Sequence, residues 1–384
     1  MPLPSAPTDP AVPAPAPDLA AALGRPPRVL VTGAGGPSGT GFLRALAGAA
    51  ERYAADIDPN GAGLYLVPRA YRMLLPPGAH PGFADAVLRL CRRHAIDVLV
   101  PTVDAELPAL AGALPQFEAA GVRVLVPPAE AVADCLDKWR LARACAGAVR
   151  LPETRTLGPD GGADLPGGFP AIAKPRTGSG SRGVRTVTGP AALAGLPRDH
   201  SYLLQELLPG TEYSVDVLTD ATGRTVAAVP RSRDRTDSGI VVAGRVLDAP
   251  ELSDAAERAV RALGLRGVLN VQLREDRDGR PALLEVNPRP PGGLSLSLAA
   301  GVDLARWAVA GLLGAELPER LAHHEVAVVR HWQDVVLHPD ELGDLADTTE
   351  AAPAGAPPFE AAPFEAAPLE AAPLEAVSLE AVST

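Results

Sequence analysis

The sequence predicts an α/β fold in two successive regions: a parallel sheet covered on both faces by helices, then an antiparallel α+β region. Two observations carry this. Over the first third of the chain, short Val/Leu-rich runs alternate with helical patterns, the order that parallel crossovers impose. Beyond about residue 170 the pattern changes to β-like runs that meet at turn sequences, the order of hairpins.

The elements follow in order. A Pro/Ala-rich leader, 1–26, has little to bury and is expected to be disordered. "RVLVTGAGGPSGTGFLRALAGA" (28–49) reads as a buried strand, a Gly-rich turn and a helix. "LYLVP" (64–68), "AIDVLVPTVD" (95–104) and "GVRVLVPP" (121–128) read as further strands, with the helical pattern "PGFADAVLRLCRRHA" (81–95) among them. Residues 27–127 therefore read as one Rossmann-like unit. A helix around Lys138 leads through the Pro/Gly-rich connector "LGPDGGADLPGG" (157–168) into the second region, which spans 128–338. Its strand candidates include "PAIAKPR", "GVRTVTG", "YLLQELLPGTEYSVDVLTD", "RTVAAVPRSR", "GVLNVQLRED" and "RPALLEVNP". Residues 339–384 end in a five-residue repeat, PFEAA to SLEAV, in which recurring Pro opposes helix; a disordered acidic tail is expected.

Composition excludes several classes. No run approaches 18 apolar residues, so no membrane span is expected. The N-terminus lacks the basic start and apolar core of a signal peptide, and a cytoplasmic location follows. Net charge is −11 and no Lys/Arg stripe carries interleaved aromatics, which argues against nucleic acid as a partner. Cys91, Cys135 and Cys145 lack CxxC spacing and read as reduced core thiols.

The segment "NVQLREDRDGRPALLEVNPRP" (270–290) carries the chemistry. A two-residue turn at Asp278-Gly279, both at positive φ, pairs Gln272 with Glu285 and Asn270 with Asn287. Alternation then puts these four on one face, and Val271, Leu273, Leu284 and Val286 on the other. A cluster of amide and carboxylate oxygens suits a hard cation near a phosphate. Only two of the 35 basic residues are lysine, Lys138 and Lys174. Lys174 ends an apolar strand directly before "PRTGSGSRG", whose Gly178, Ser179, Gly180 and Ser181 make a loop able to close over phosphates. No GxxxxGK[ST] occurs, so this is not a P-loop.

These segments, with "LDKW", "AIAKPRTGSGSRGV", "QELLPGTEYSVDV", "NVQL" and "LLEVNPRP" in this order, resemble the ATP-grasp superfamily, in particular the subgroup similar to the carbamoyl-phosphate synthetase large chain. The resemblance implies a Rossmann-like pre-ATP-grasp domain followed by a two-lobed ATP-grasp fold, with a small lid lobe at about 145–204. It implies that Lys138 and Lys174 contact ATP phosphates and that Gln205, Glu206 and Leu208 lie at the hinge against the adenine. Glu212 would meet the ribose. Gln272, Glu285 and Asn287 would hold two Mg²⁺ (or Mn²⁺) ions, and Arg289, with Lys174, would neutralise the transferred phosphoryl group. With a single such unit, the chain resembles the short stand-alone ligases that join a small-molecule carboxylate to an amine through an acyl phosphate, releasing ADP and phosphate. Relatives of this kind are often homodimers.

Other readings compete with or extend this one. Arg231, Arg233 and Arg235 share a strand face by period two, and Arg233 and Arg235 are candidate substrate contacts. Asp104 and Glu106 follow a parallel strand, where open α/β sheets bind ligands, and are candidates for an amine. The turn Gly33-Ala-Gly35-Gly36, with Asp56 or Asp58 for a ribose, would instead make an NAD(P)-binding oxidoreductase. A non-catalytic ATP-binding partner protein is the remaining alternative.

Overall fold

The computed structural model describes residues 14–159, 165, 167–178, 180 and 182–345. The repeat tail, half of the connector, and Ser179 and Ser181 of the Gly-rich loop lie outside the described residues.

Five strands, β1 (Arg28–Thr32), β2 (Glu51–Asp56), β3 (Arg72–Leu74), β4 (Val98–Pro101) and β5 (Arg123–Val124), form a parallel sheet in the order β3-β2-β1-β4-β5. Burial on both faces explains why β1 and β4 are unbroken apolar runs. Helix α1 (Pro37–Ala45) covers one face with Phe42 and Leu43. The other face is covered by α2 (Phe83–His94), through Phe83, Val87 and Cys91, with α3 (Leu107–Gly112) and α4 (Leu114–Ala119).

The expected strand at 64–68 is not one. Ala62–Leu66 forms a 3-10 turn, and the missing strand is β2. Gly63 explains the turn: a Cβ there would lie 1.9 Å from the Ala34 carbonyl oxygen, so only glycine lets this segment press onto the Gly-rich loop. The leader is also partly packed, since Leu19 is 2% exposed within the core and Arg25 makes a two-pronged pair with Asp97. Ala14 packs against the same core.

Helices α5 (Ala129–Leu136) and α6 (Lys138–Ala144) lead to a four-stranded antiparallel sheet: β6 (Thr154–Thr156), β7 (Ala171–Pro175), β8 (Arg185–Val187) and β9 (Tyr202–Glu206), in the order β6-β9-β7-β8. The chain then enters a larger sheet: β10 (Glu212–Thr219), β11 (Thr225–Ser232), β12 (Arg235–Asp237), β13 (Ile240–Val246), β14 (Gly267–Glu275) and β15 (Pro281–Asn287). Their order is β12-β13-β11-β10-β14-β15, and β16 (Val326–Val329) pairs with β13. Helix α7 (Pro250–Ala262) backs one face through Leu252, Ala256 and Val260 against Val215, Leu269 and Val271. Helices α8 (Leu294–Ala299) and α9 (Leu304–Leu312) join the core shared with α1.

The hairpin β14–β15 corrects the predicted turn. It closes on Asp276, whose backbone N–H donates to the Arg280 carbonyl at 2.9 Å and whose carboxylate accepts from the N–H groups of Asp278 and Arg280. Three residues, not two, form the loop, and Gly279 alone of them has positive φ. A bulge then restores the register: Leu273 pairs with Leu283, whereas Gln272 still pairs with Glu285. Leu283, 1% exposed, takes the core place expected of Leu284.

After β16 the chain crosses back to the parallel sheet. Arg330 Nη1 donates to the Gly292 carbonyl at 2.9 Å, the Gly343 N–H donates to Tyr65 Oη at 2.7 Å, and Arg69 pairs with Asp344. Residues 339–345, expected in a disordered tail, thus belong to the packed structure; two charged or polar anchors hold them where hydrophobic content is low.

Candidate active site

Register across the larger sheet builds the site in rows. On β11, β10, β14 and β15, Arg231, Ser214, Gln272 and Glu285 lie side by side. The next row is Val229, Asp216, Asn270 and Asn287. Polar side chains of both rows share one face because alternate residues of a strand point the same way. Asn287 Nδ2 donates to Glu285 Oε1 at 3.3 Å and to Asn270 Oδ1 at 3.4 Å, so the three expected metal ligands, Gln272, Glu285 and Asn287, stand together. One carboxylate and two amides fit a hard cation that completes its shell with phosphate oxygens. Among the described residues no group of three His, Cys, Asp or Glu side chains converges, which argues against a self-sufficient protein cage for a metal.

Lys174, next to the last residue of β7, lies toward Glu285 of this cluster from the smaller sheet. Its side chain is buried, which lowers its pKa from 10.5 to about 8; the charge of Glu285 opposes the shift and Lys138 adds to it. A buried ammonium between a carboxylate and a second ammonium is costly unless an anion completes the set. Lys138 Nζ donates to the Gly178 carbonyl at 2.8 Å, at the root of the Gly-rich loop. That root is fixed by Asp137, which caps α6 and accepts from Arg176 Nε at 2.7 Å. Gly178 and Gly180 have φ of 113° and 66°, conformations that favour glycine.

The residues expected at the hinge lie where the chain passes from β9 of one sheet to β10 of the other. Gln205 Nε2 donates to Thr154 Oγ1 at 2.9 Å, and a narrow cleft is lined by Lys138, Leu141, Leu151, Thr154, Gln205 and Leu283. Glu206 accepts from the Glu153 N–H at 3.1 Å, so its carboxylate is already engaged, and Leu208 is buried. Glu212 pairs with Arg233 at 2.8 Å.

The other candidates divide. Asp104 reaches Arg289 in a two-pronged pair at 2.8 and 2.9 Å, and so joins the site. Glu106 does not. It is 5% exposed and accepts from Thr32 Oγ1 at 2.7 Å, while burial raises its carboxyl to about 7. Arg233 borders the site, but Arg235 is exposed on β12, carried away because β11 ends at Ser232. Arg231 is 2% exposed and clasps Asp216 by two 3.0 Å bonds. The period-two face of three arginines therefore does not exist as one surface.

Asp216 is the residue that sequence reasoning missed. It is fully buried and accepts from Arg231, from Asn270 Nδ2 at 2.8 Å and from Ser297 Oγ at 2.8 Å. The available signal was an acid in a Val-rich strand two residues from the polar Ser214. The Gly-rich turn after β1 is closed by its own chain: the Gly35 N–H donates to Asp56 at 2.6 Å, and a Cβ at Gly39 would lie 2.5 Å from the Gly33 carbonyl. Asp56, the candidate for a ribose, is thus engaged by the turn's own backbone.

With this geometry in place, comparison defines the class. Residues 198–335 match the family described as ATP-grasp in the biosynthetic pathway with Ter operon, and residues 40–125 match the PylC-like N-terminal domain. Residues 198–335 are thus an ATP-grasp domain, and residues 40–125 a PylC-like N-terminal domain. It is 32% identical over 158 residues to the D-alanine–D-alanine ligase of Gloeobacter violaceus, an alignment covering 35% of this chain and 52% of that one. It is 27% identical over 179 residues to the arginine-specific carbamoyl phosphate synthase large chain of Bacillus subtilis, covering 42% of this chain and 17% of the relative. The matches therefore span about half the length of the first and a sixth of the second. The fold is shared with biotin carboxylase from Campylobacter jejuni, solved as its β-γ-ATP complex, at a TM-score of 0.63 and 16% identity over 78% of this chain and 74% of that one. Among the described residues no helix is long and apolar enough to cross a membrane.

Proposed function

We propose that the protein is an ATP-dependent ligase that joins a carboxylate to an amine through an acyl phosphate, releasing ADP and phosphate. The observation that carries the reading is the juxtaposition of buried Lys174 with Glu285, in a row that also holds Gln272. A buried cation beside a carboxylate and amides able to hold a metal is an arrangement that a phosphate chain with its metal would complete.

Magnesium bound by Glu285, Gln272 and Asn287 would supply positive charge to the phosphate oxygens. The chain's own residues position and neutralise. Lys174 and Lys138 bind phosphate oxygens, with Lys138 exchanging its bond to the Gly178 carbonyl for one to phosphate. The cleft between Gln205 and Leu283 takes the base. Arg289 stands two residues beyond Asn287 on the same strand end, where it orients the carboxylate and offsets the charge that builds as the phosphoryl group moves. The amine then displaces phosphate from the acyl carbon, and no protein nucleophile takes part.

The test is product analysis. Protein incubated with Mg-ATP and pooled amino acids and small carboxylic acids is expected to release ADP and phosphate in a substrate-dependent way. AMP and pyrophosphate would replace the acyl phosphate with an adenylate and overturn the mechanism.

A further inference from the structure

Arg289 and Asp104 lie 185 residues apart in sequence, one after the metal-ligand strand β15 and the other in the turn after β4 of the parallel sheet. The pair between them uses both prongs: Nε to Oδ1 at 2.8 Å and Nη2 to Oδ2 at 2.9 Å. This is the geometry a guanidinium offers to any carboxylate or phosphate. The fork that the proposed reaction needs is therefore engaged by a carboxylate of the chain itself.

The contrast with the second two-pronged pair near the site sets its character. Asp216 and Arg231 have side chains 0% and 2% exposed, and Asp216 also accepts from Asn270 and Ser297, so that pair is sealed. Asp104 and Arg289 are each 19% exposed. Among the described residues Arg289 is the one side chain that donates to the Asp104 carboxylate. Exchanging it for another anion of the same shape breaks two bonds and remakes two, and leaves Asp104 an edge open to water.

We propose that Asp104 is a displaceable counter-ion of Arg289, a positioning residue that holds the fork and yields it to the anionic group of the substrate. Asp104 thereby sets how tightly the site takes carboxylate or phosphoryl oxygens. This rests on the ligase reading above.

Inorganic phosphate titrated calorimetrically onto the full-length protein saturated with MgADP tests it. Asp104→Asn and Asp104→Ser are expected to bind phosphate roughly five- to tenfold more tightly than the wild type, the scale of losing one partly exposed competing charge. Asp104→Glu restores the competing carboxylate and with it near-wild-type affinity. The double variant Asp104→Asn/Arg289→Gln is expected to bind no more tightly than Arg289→Gln alone. MgADP affinity, measured in the same cell, shows that each variant retains its fold. Unchanged or weaker phosphate binding in both neutral variants, with MgADP binding intact, overturns the proposal and leaves the ligase reading standing. A gain that persists without Arg289 also overturns it, because the effect would then be one of general charge. A wild type that binds no MgADP sinks the ligase reading, and this proposal with it.

Discussion

On the proposed reading, Lys174 ties nucleotide affinity to pH in a direction fixed by its burial. With a pKa lowered from 10.5 to about 8, about nine-tenths of the ligand-free molecules carry the charge at pH 7 and about a tenth at pH 9. Phosphate oxygens favour the charged form, so the bound state holds the proton across this range. Affinity for MgADP is therefore expected to fall about tenfold between pH 7 and pH 9, with binding at pH 9 taking up close to one proton. Calorimetry in two buffers of different ionisation enthalpy reads that uptake directly. Lys174→Met is expected to abolish the uptake and to bind weakly at both pH values. An affinity that stays flat between them, or an uptake near zero at pH 9, would refute the reasoning.

The same shift has the opposite sign in stability. The folded pKa lies below the unfolded one, so the unfolded chain binds more protons between about pH 8 and 10.5, and the ligand-free protein gains stability as pH rises through that window. Below it, keeping the charge buried costs about 3 kcal/mol for a shift from 10.5 to about 8. Lys174→Met should accordingly raise the unfolding midpoint near pH 7 while it removes phosphate binding. A lowered midpoint would mean that Glu285 compensates the charge more fully than burial penalises it.

Three further outcomes follow from the packing. Asp216→Ala leaves Arg231 buried without its counter-ion and should cost about 3–5 kcal/mol in denaturant unfolding; a loss below about 1 kcal/mol would show that the network is dispensable. Gly293→Ala puts a Cβ 2.7 Å from the Arg231 guanidinium carbon and should cost about 1–3 kcal/mol, whereas at Gly292 the nearest contact is 3.7 Å and alanine should be nearly neutral. A chain ended after Leu337 loses the Arg69–Asp344 pair and the Gly343–Tyr65 bond, and should melt lower by the equivalent of about 1–3 kcal/mol than one ended after Ala346.

Legibility followed burial. Strands β1 and β4 were readable because both faces are covered and the run stays apolar. Strand β2 was not, because it opens with Glu51 and Arg52 at the sheet's rim, where Glu51 meets Arg28, and only its later residues are enclosed. The turn at 62–66 read as a strand because its apolar residues are consecutive; what decides its shape is the approach of Gly63 to Ala34, a long-range contact invisible in local pattern. The hairpin is more instructive. A two-residue turn was the wrong turn, yet the pairs Gln272–Glu285 and Asn270–Asn287 stand as expected, because the longer loop and the bulge at Leu284 shift the register by one in opposite senses.

That cancellation points to what the fold preserves. Turn length and loop chemistry differ from expectation at the hairpin tip, where few groups depend on them. The row through Gln272 and Glu285 keeps its register, because a slip of one residue there would send Glu285 into the core against α7 and bring Val286 to the polar face. The adjoining row explains how the register is enforced from the polar side. Asn270 sits between Asn287 and the sealed Asp216, and each residue holds the next through a side-chain bond. Alternation within one strand shows which residues face the site, but only the order of strands across the sheet shows which of them touch. Asp216 and Arg231 acquire their role from that order, with one strand pairing joining them to each other and the next joining them to Asn270. The candidate ligands thus rest on a buried ionic network whose own members, in the sequence, look like ordinary polar positions of two separate strands.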